Sequence, residues 1–97
     1  MSVLYGGQGA DRLTGGAGDD TLFGGKDGDV FVYRATNDGS DVIQDFDVGA
    51  DQIQLAAGVS VRISYSLGDD SVLRLSTGTR ITLVGVADPD DVAVVWG

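Results

Sequence analysis

Three aspartates stand nine residues apart: Asp11, Asp20 and Asp29. Each lies two residues before a large apolar side chain (Leu13, Leu22, Phe31) and each follows a glycine-rich stretch. Carboxylates brought together repel unless a cation lies between them, and glycine-rich turns expose backbone carbonyls beside them. The chain has no His and no Cys, so the ligands on offer are oxygen atoms. That set suits a hard cation with many oxygen ligands, Ca²⁺ rather than Zn²⁺. Mg²⁺ fits less well, because it wants a strict octahedron and keeps its waters. Catalysis is poorly served. Without His or Cys there is no His-based triad, zinc-protease motif or thiolate, and no pair of aspartates stands apart as a glycosidase pair would. No catalytic residue is assigned.

The elements that position these acids form a repeat. Gly6 to Thr14, Gly15 to Phe23 and Gly24 to Val32 are one nine-residue unit written three times: a glycine pair, Asp in sixth place, a large apolar residue in eighth. A fixed period marks a repeat architecture. The glycines disfavour helix and strand but permit turns with positive φ. The last three residues of each unit are strand-like. A turn plus a short strand is half a coil, so two units close a coil of eighteen residues. Leu4 then stacks on Leu22 and Leu13 on Phe31, forming the inner column of a thin core. The same arithmetic sets Asp11 against Asp29 and Asp20 against Asp38. A flexible glycine linker would not hold Asp and an apolar residue in register three times. No Gly-Lys-Ser/Thr follows the glycines, which excludes a P-loop. An EF-hand from Asp27 fails because Val32 stands where its glycine belongs and Asp38 where its bidentate Glu belongs.

These units resemble the Gly-Gly-x-Gly-x-Asp-x-apolar-x nonapeptide of RTX (repeats-in-toxin) proteins, a calcium-binding parallel β-roll repeat. Units one and two match fully. Unit three carries Asp27 at the third glycine, which adds a carboxylate. In that family the loop binds calcium through alternate backbone carbonyls and the sixth-place Asp. The resemblance therefore implies one site from Gly7, Gly9 and Asp11 with Gly24, Lys26 and Asp29. It implies a second from Gly16, Gly18 and Asp20 with Tyr33, Ala35 and Asp38. Two or three Ca²⁺ ions are expected. Val3-Leu4-Tyr5 has the shape of the tail of an earlier repeat, so the chain reads as a piece of a longer protein with upstream domains.

After the roll, the Gly39-Ser40-Asp41-x-Ile43-x-Asp45-Phe46 segment resembles the stretch that leads into a β-sandwich cap in serralysin-like proteins. Asp41 and Asp45 are candidate ligands for a further Ca²⁺, or solvated edge charges. Val59, Val61, Ile63 and Tyr65 alternate with Ser60, Arg62 and Ser64, and short strands follow to Trp96, the pattern of an antiparallel half-buried sheet. The expected fold is all-β: a short parallel β-roll over residues 1–38 capped by an antiparallel β-sandwich over 39–97. The cap covers the open end of the roll, where a bare edge would template aggregation.

The net charge is −9, and every acid is Asp. This argues against nucleic acid and anionic membrane as partners of the roll, and no apolar run is long enough to span a bilayer. Asp90-Asp91 followed by Val92 to Val95 resembles the uncleaved C-terminal signal of type I secretion substrates. The implied partner is a type I secretion transporter, and the implied location extracellular. The expected function is calcium-triggered folding and stabilisation of a secreted protein. The alternative is an accessory module for an acidic polysaccharide such as alginate, resting on Arg62, Arg74 and Arg80 projecting from one sheet face. Ordinary solvated strand positions are the simpler account of those arginines.

Overall fold

The computed structural model describes residues 2–7, 9–14, 18–25, 28–34 and 39–96. Among these residues are ten strands, a single 3₁₀ turn and no α-helix. The strands are β1 (Ser2–Tyr5), β2 (Arg12–Leu13), β3 (Asp20–Phe23), β4 (Val30–Tyr33) and β5 (Ser40–Ile43). They continue as β6 (Gln52–Leu55), β7 (Val61–Leu67), β8 (Asp70–Leu75), β9 (Arg80–Leu83) and β10 (Ala93–Trp96). One sheet has the order β1-β3-β5-β9-β8-β7, the other β10-β6-β4-β2. From β1 to β6 the chain passes to the other sheet at every strand, the winding of a parallel β-roll.

The inner columns hold this winding together. Leu4 pairs with Leu22, Leu22 with Ile43 and Ile43 with Leu83. In the second sheet Leu13 pairs with Phe31, Phe31 with Ile53 and Ile53 with Val94. Leu22, Phe31, Ile43, Ile53 and Leu83 are fully buried, each contributing about 1.5–3 kcal/mol before entropy costs. The expected stacking of Leu4 on Leu22 and Leu13 on Phe31 is the observed one.

The sheets cross residue 38 without a break. β3 pairs in parallel with β5, β4 with β6, β5 with β9 and β6 with β10. Among the described residues antiparallel pairing is confined to β7·β8 and β8·β9. The expected sandwich over 39–97 is thus two further coils of the roll, β5 with β6 and β9 with β10, with the β7–β8 hairpin inserted between them. The physical reason is that a half-buried strand alternates in the same way whether its neighbour is parallel or antiparallel.

A second correction concerns β7. Its apolar alternation predicts a core-facing stripe, yet Ile63 and Leu67 are 56% and 57% exposed. The register shifts between Val61 and Ile63, which leaves Arg62 as the extra residue and sets Ile63 opposite the exposed Arg74. A bulge re-aims the strand beyond it: Ile63 and Leu67 are exposed, while Val61 still packs against the core and Tyr65 is half-buried.

Candidate metal centre

Each coil brings an Asp to the start of its strand, facing inward, one step before the apolar column. One carboxylate oxygen closes the ladder to the coil before it. Asp29 Oδ1 accepts the Asp11 N–H at 2.8 Å, Asp41 Oδ1 accepts the Asp20 N–H at 3.0 Å, and Asp51 Oδ1 accepts the Asp29 N–H at 2.8 Å. Asp20, Asp29, Asp41 and Asp51 are buried.

What the remaining oxygens do divides the aspartates into two kinds. Asp11 Oδ2, Asp29 Oδ2 and both oxygens of Asp20 are buried with no hydrogen-bond partner. In contrast, Asp51 Oδ2 accepts the Asp47 N–H at 2.9 Å. Asp45 accepts the Gly24 N–H at 2.7 Å on Oδ1 and the Gly25 N–H at 2.9 Å on Oδ2. Asp45 and Asp51 are therefore turn clamps, satisfied by backbone donors. Asp11, Asp20 and Asp29 carry charge that the protein leaves uncompensated, and removing one partner from a buried ion pair costs about 3–5 kcal/mol.

The glycine turns lie against these orphaned oxygens. A Cβ built on Gly6 would lie 2.6 Å from the Gly24 carbonyl oxygen and 2.9 Å from Asp11 Oδ2. One on Gly24 would lie 2.5 Å from Asp29 Oδ2, and one on Gly25, where φ is +86°, would overlap the Gly7 carbonyl oxygen. One on Gly39 would lie 2.6 Å from the Gly18 carbonyl oxygen. Carbonyls and carboxylates thus share the space that side chains would otherwise fill. Burial raises the Asp29 pKa above its ordinary value; the negative charges of Asp51, Asp11 and Asp45 push the same way, against the Asp11 N–H that favours the ionised form. Among the described residues no three carboxylates converge, so any cation here shares two carboxylates with carbonyl oxygens. Unpaired, buried, negatively charged oxygen beside carbonyls is a donor set that fits Ca²⁺.

The expected first site is brought together in part: Asp11 stands over Asp29, and Gly7 over Gly25 beside Gly24, with Gly9 (φ +84°) in the same turn. Lys26 lies outside the described residues, as do Gly16, Asp27, Ala35 and Asp38. Of the expected second site, Gly18, Asp20 and Tyr33 fall among the described residues. Asp20 stands over Asp41, 21 residues on, a partner the repeat arithmetic did not name. Seating Ile43 on Leu22 requires a step three residues longer than the 18 of the first coil. Tyr33 does not join Asp20. It is a buried core residue of the other sheet, and its carbonyl accepts the Ala56 N–H at 3.0 Å. Gly18 stays at the junction, against Gly39, and Asp19 Oδ1 accepts the Ser40 N–H at 2.9 Å. Asp51 and Asp19 were missed. Asp51 had a signal: it opens an Asp-x-apolar triplet, Asp51-Gln52-Ile53, like Asp29-Val30-Phe31.

Fold and site together define a calcium-binding repeat roll, and residues 3–31 are RTX calcium-binding nonapeptide repeats, matching that family's description as four copies. Among solved structures, the extracellular lipase LipA from Serratia marcescens is similar across 96% of this chain, with 30% sequence identity and a TM-score of 0.69. The chain spans 17% of that lipase's length. Among curated proteins none matches the chain. The repeat segment is a calcium-binding module; the lipase activity in the neighbour's name belongs to that protein.

Proposed function

We propose that the chain is a calcium-triggered folding module of a secreted protein. The observation that carries this reading is the set of orphaned, buried carboxylate oxygens on Asp11, Asp20 and Asp29. Two ions are assigned. Asp11 and Asp29 would hold one, with carbonyls of the Gly6–Gly9 and Gly24–Gly25 turns. Asp20 and Asp41 would hold the other, with the Gly18 carbonyl. Asp45 and Asp51 are left out, because backbone N–H groups already occupy both of their oxygens. When bound, calcium supplies the positive charge that lets these carboxylates stay ionised inside the roll.

At low calcium, carboxylate repulsion and glycine entropy oppose the first two coils. At the millimolar calcium of the extracellular medium, binding free energy becomes folding free energy. Extracellular modules commonly bind at about 10⁻⁴–10⁻³ M. Export through a type I transporter follows from the same logic, since the transporter needs an unfolded chain. The extracellular lipase neighbour supports this location.

A far-UV circular dichroism titration from a chelated sample tests the reading. A cooperative gain of β signal near millimolar Ca²⁺ is expected, and a chain fully folded in chelator would reject it. Export needs a separate test. Deleting residues 91–97 would remove β10, whose Val94 packs on the core, and so would confound signal with fold. Replacing exposed Val95 with Asp leaves that packing in place, and unchanged export by a type I transporter would reject the signal at this strand.

A further inference from the structure

The β7 edge is unlike the other sheet edges. β7 is the outermost strand of the six-stranded sheet and, among the described residues, is bonded to β8 alone. The other edge strands, β1, β2 and β10, have four residues or fewer, whereas β7 has seven. Edge strands are commonly kept short or guarded by lysine, proline, a charge or a bulge. β7 has no acid, no lysine and no proline. Its bulge and the charge of Arg62 guard only its beginning. From Ile63 to Leu67 the strand is regular and unguarded, and Ile63 and Leu67 are exposed.

We propose that this edge pairs with the β7 edge of a second copy, antiparallel about a two-fold axis at Tyr65. The strand is self-complementary in that register. Ile63 stands opposite the partner's Leu67, and Tyr65 opposite the partner's Tyr65. Aliphatic and aromatic cross-strand pairs stabilise a sheet, and they gather the exposed apolar side chains of β7 on one face. The same register carries Arg62 to the partner's Asp69. Both residues are exposed, so opposite charges meet at each end of the paired strands. A shift by one residue would set Ile63 against the partner's Ser66 and lose all of these pairs. The Ser66 hydroxyl already donates to the Ala87 carbonyl, so the pairing draws on main chain, apolar contact and charge. An edge that fits its own copy closes into a dimer and does not propagate.

The test is sedimentation equilibrium of the calcium-loaded chain over a concentration series. One strand pair buries less than the roughly 800 Å² per partner of a standard interface, so half-dimerisation is expected near about 100 µM. Ile63→Lys should weaken the dimer about tenfold. Arg62→Asp and Asp69→Arg should each weaken it about fivefold, and the two together should restore it. All of these should keep the calcium-dependent circular dichroism transition, since none alters a proposed ligand. The chain has no Cys, so Tyr65→Cys reads the register. Mild oxidation should join two copies through residue 65 faster than it joins Ser60→Cys chains. A monomer at about tenfold higher concentration, a dimer indifferent to Ile63→Lys, failure of the double exchange to restore it, or equal oxidation of the two cysteine variants would overturn the proposal.

Discussion

Asp29 Oδ1 accepts the backbone N–H of Asp11, eighteen residues earlier, at 2.8 Å, while its Oδ2 is buried against the Gly24 turn without a partner. One side chain thus has two jobs. One oxygen sets the register of successive coils, and the other presents charge to the junction between them. Asn at this position keeps the first job and loses the charge. Asp29→Asn should therefore be more folded than the parent in chelator, and its calcium midpoint should rise at least tenfold. A circular dichroism titration reads both, and a variant weakened equally in chelator and calcium would show that register alone matters.

The same carboxyl predicts a pH dependence. Burial, reinforced by Asp51, Asp11 and Asp45, raises its folded pKa above the unfolded value. A group shifted in this direction contributes stability that is present below the unfolded pKa and lost as pH rises through the folded one. In chelator, the melting temperature should fall as pH rises above the ordinary carboxylate range. Calcium reverses the sign, because it binds the ionised form, and its affinity should climb over the same window. Thermal melts in the two conditions, run in parallel, separate the trends; identical slopes would reject the assignment.

Asp51 behaves differently from the ligand candidates. Both of its oxygens accept backbone N–H groups, from Asp29 and Asp47. Asp51→Ala should cost about 1.5–3 kcal/mol and leave the calcium stoichiometry of the folded protein unchanged. Asp20→Ala should instead remove one bound ion. Equilibrium dialysis with calcium, paired with denaturant melts, distinguishes a clamp from a ligand.

Among the glycines, two substitutions should separate sharply. Ala at Gly24 would drive its Cβ to 2.5 Å from Asp29 Oδ2 and 3.0 Å from the Phe31 ring, a clash expected to cost about 1–3 kcal/mol. Ala at Gly49 meets only Asp47 Oδ1, at 3.6 Å, without a positive φ. It should be neutral or stabilising by up to about 1 kcal/mol through the unfolded chain. Melting temperatures decide the comparison, and equal effects would contradict the close approach at Gly24.

How much of this was legible in the residues depends on where period and packing coincide. Leu4 over Leu22 and Asp11 over Asp29 follow from a nine-residue period that the first coils keep. The partner of Asp20 does not, because the step to the next coil lengthens to 21 residues and then, at Asp29 and Asp51, to 22. Only the fit of Ile43 on Leu22 and Ile53 on Phe31 sets those steps, and a connecting segment carries no period of its own. The cap was misread for a different reason. Ile53 and Leu55 alternate as they would in either strand direction. The bulge at Arg62 turns Ile63 outward without disturbing the alternation of residue types.

The winding also fixes how the molecule would yield to force. Among the described residues β1 is hydrogen-bonded to β3 alone, and β2 to β4 alone, so a pull on β1 meets one coil at a time. Each eighteen-residue coil would release about 60 Å of extended chain. The record of such a pull would be a staircase whose first steps are cut by calcium and whose last are cut by the hydrophobic columns alone.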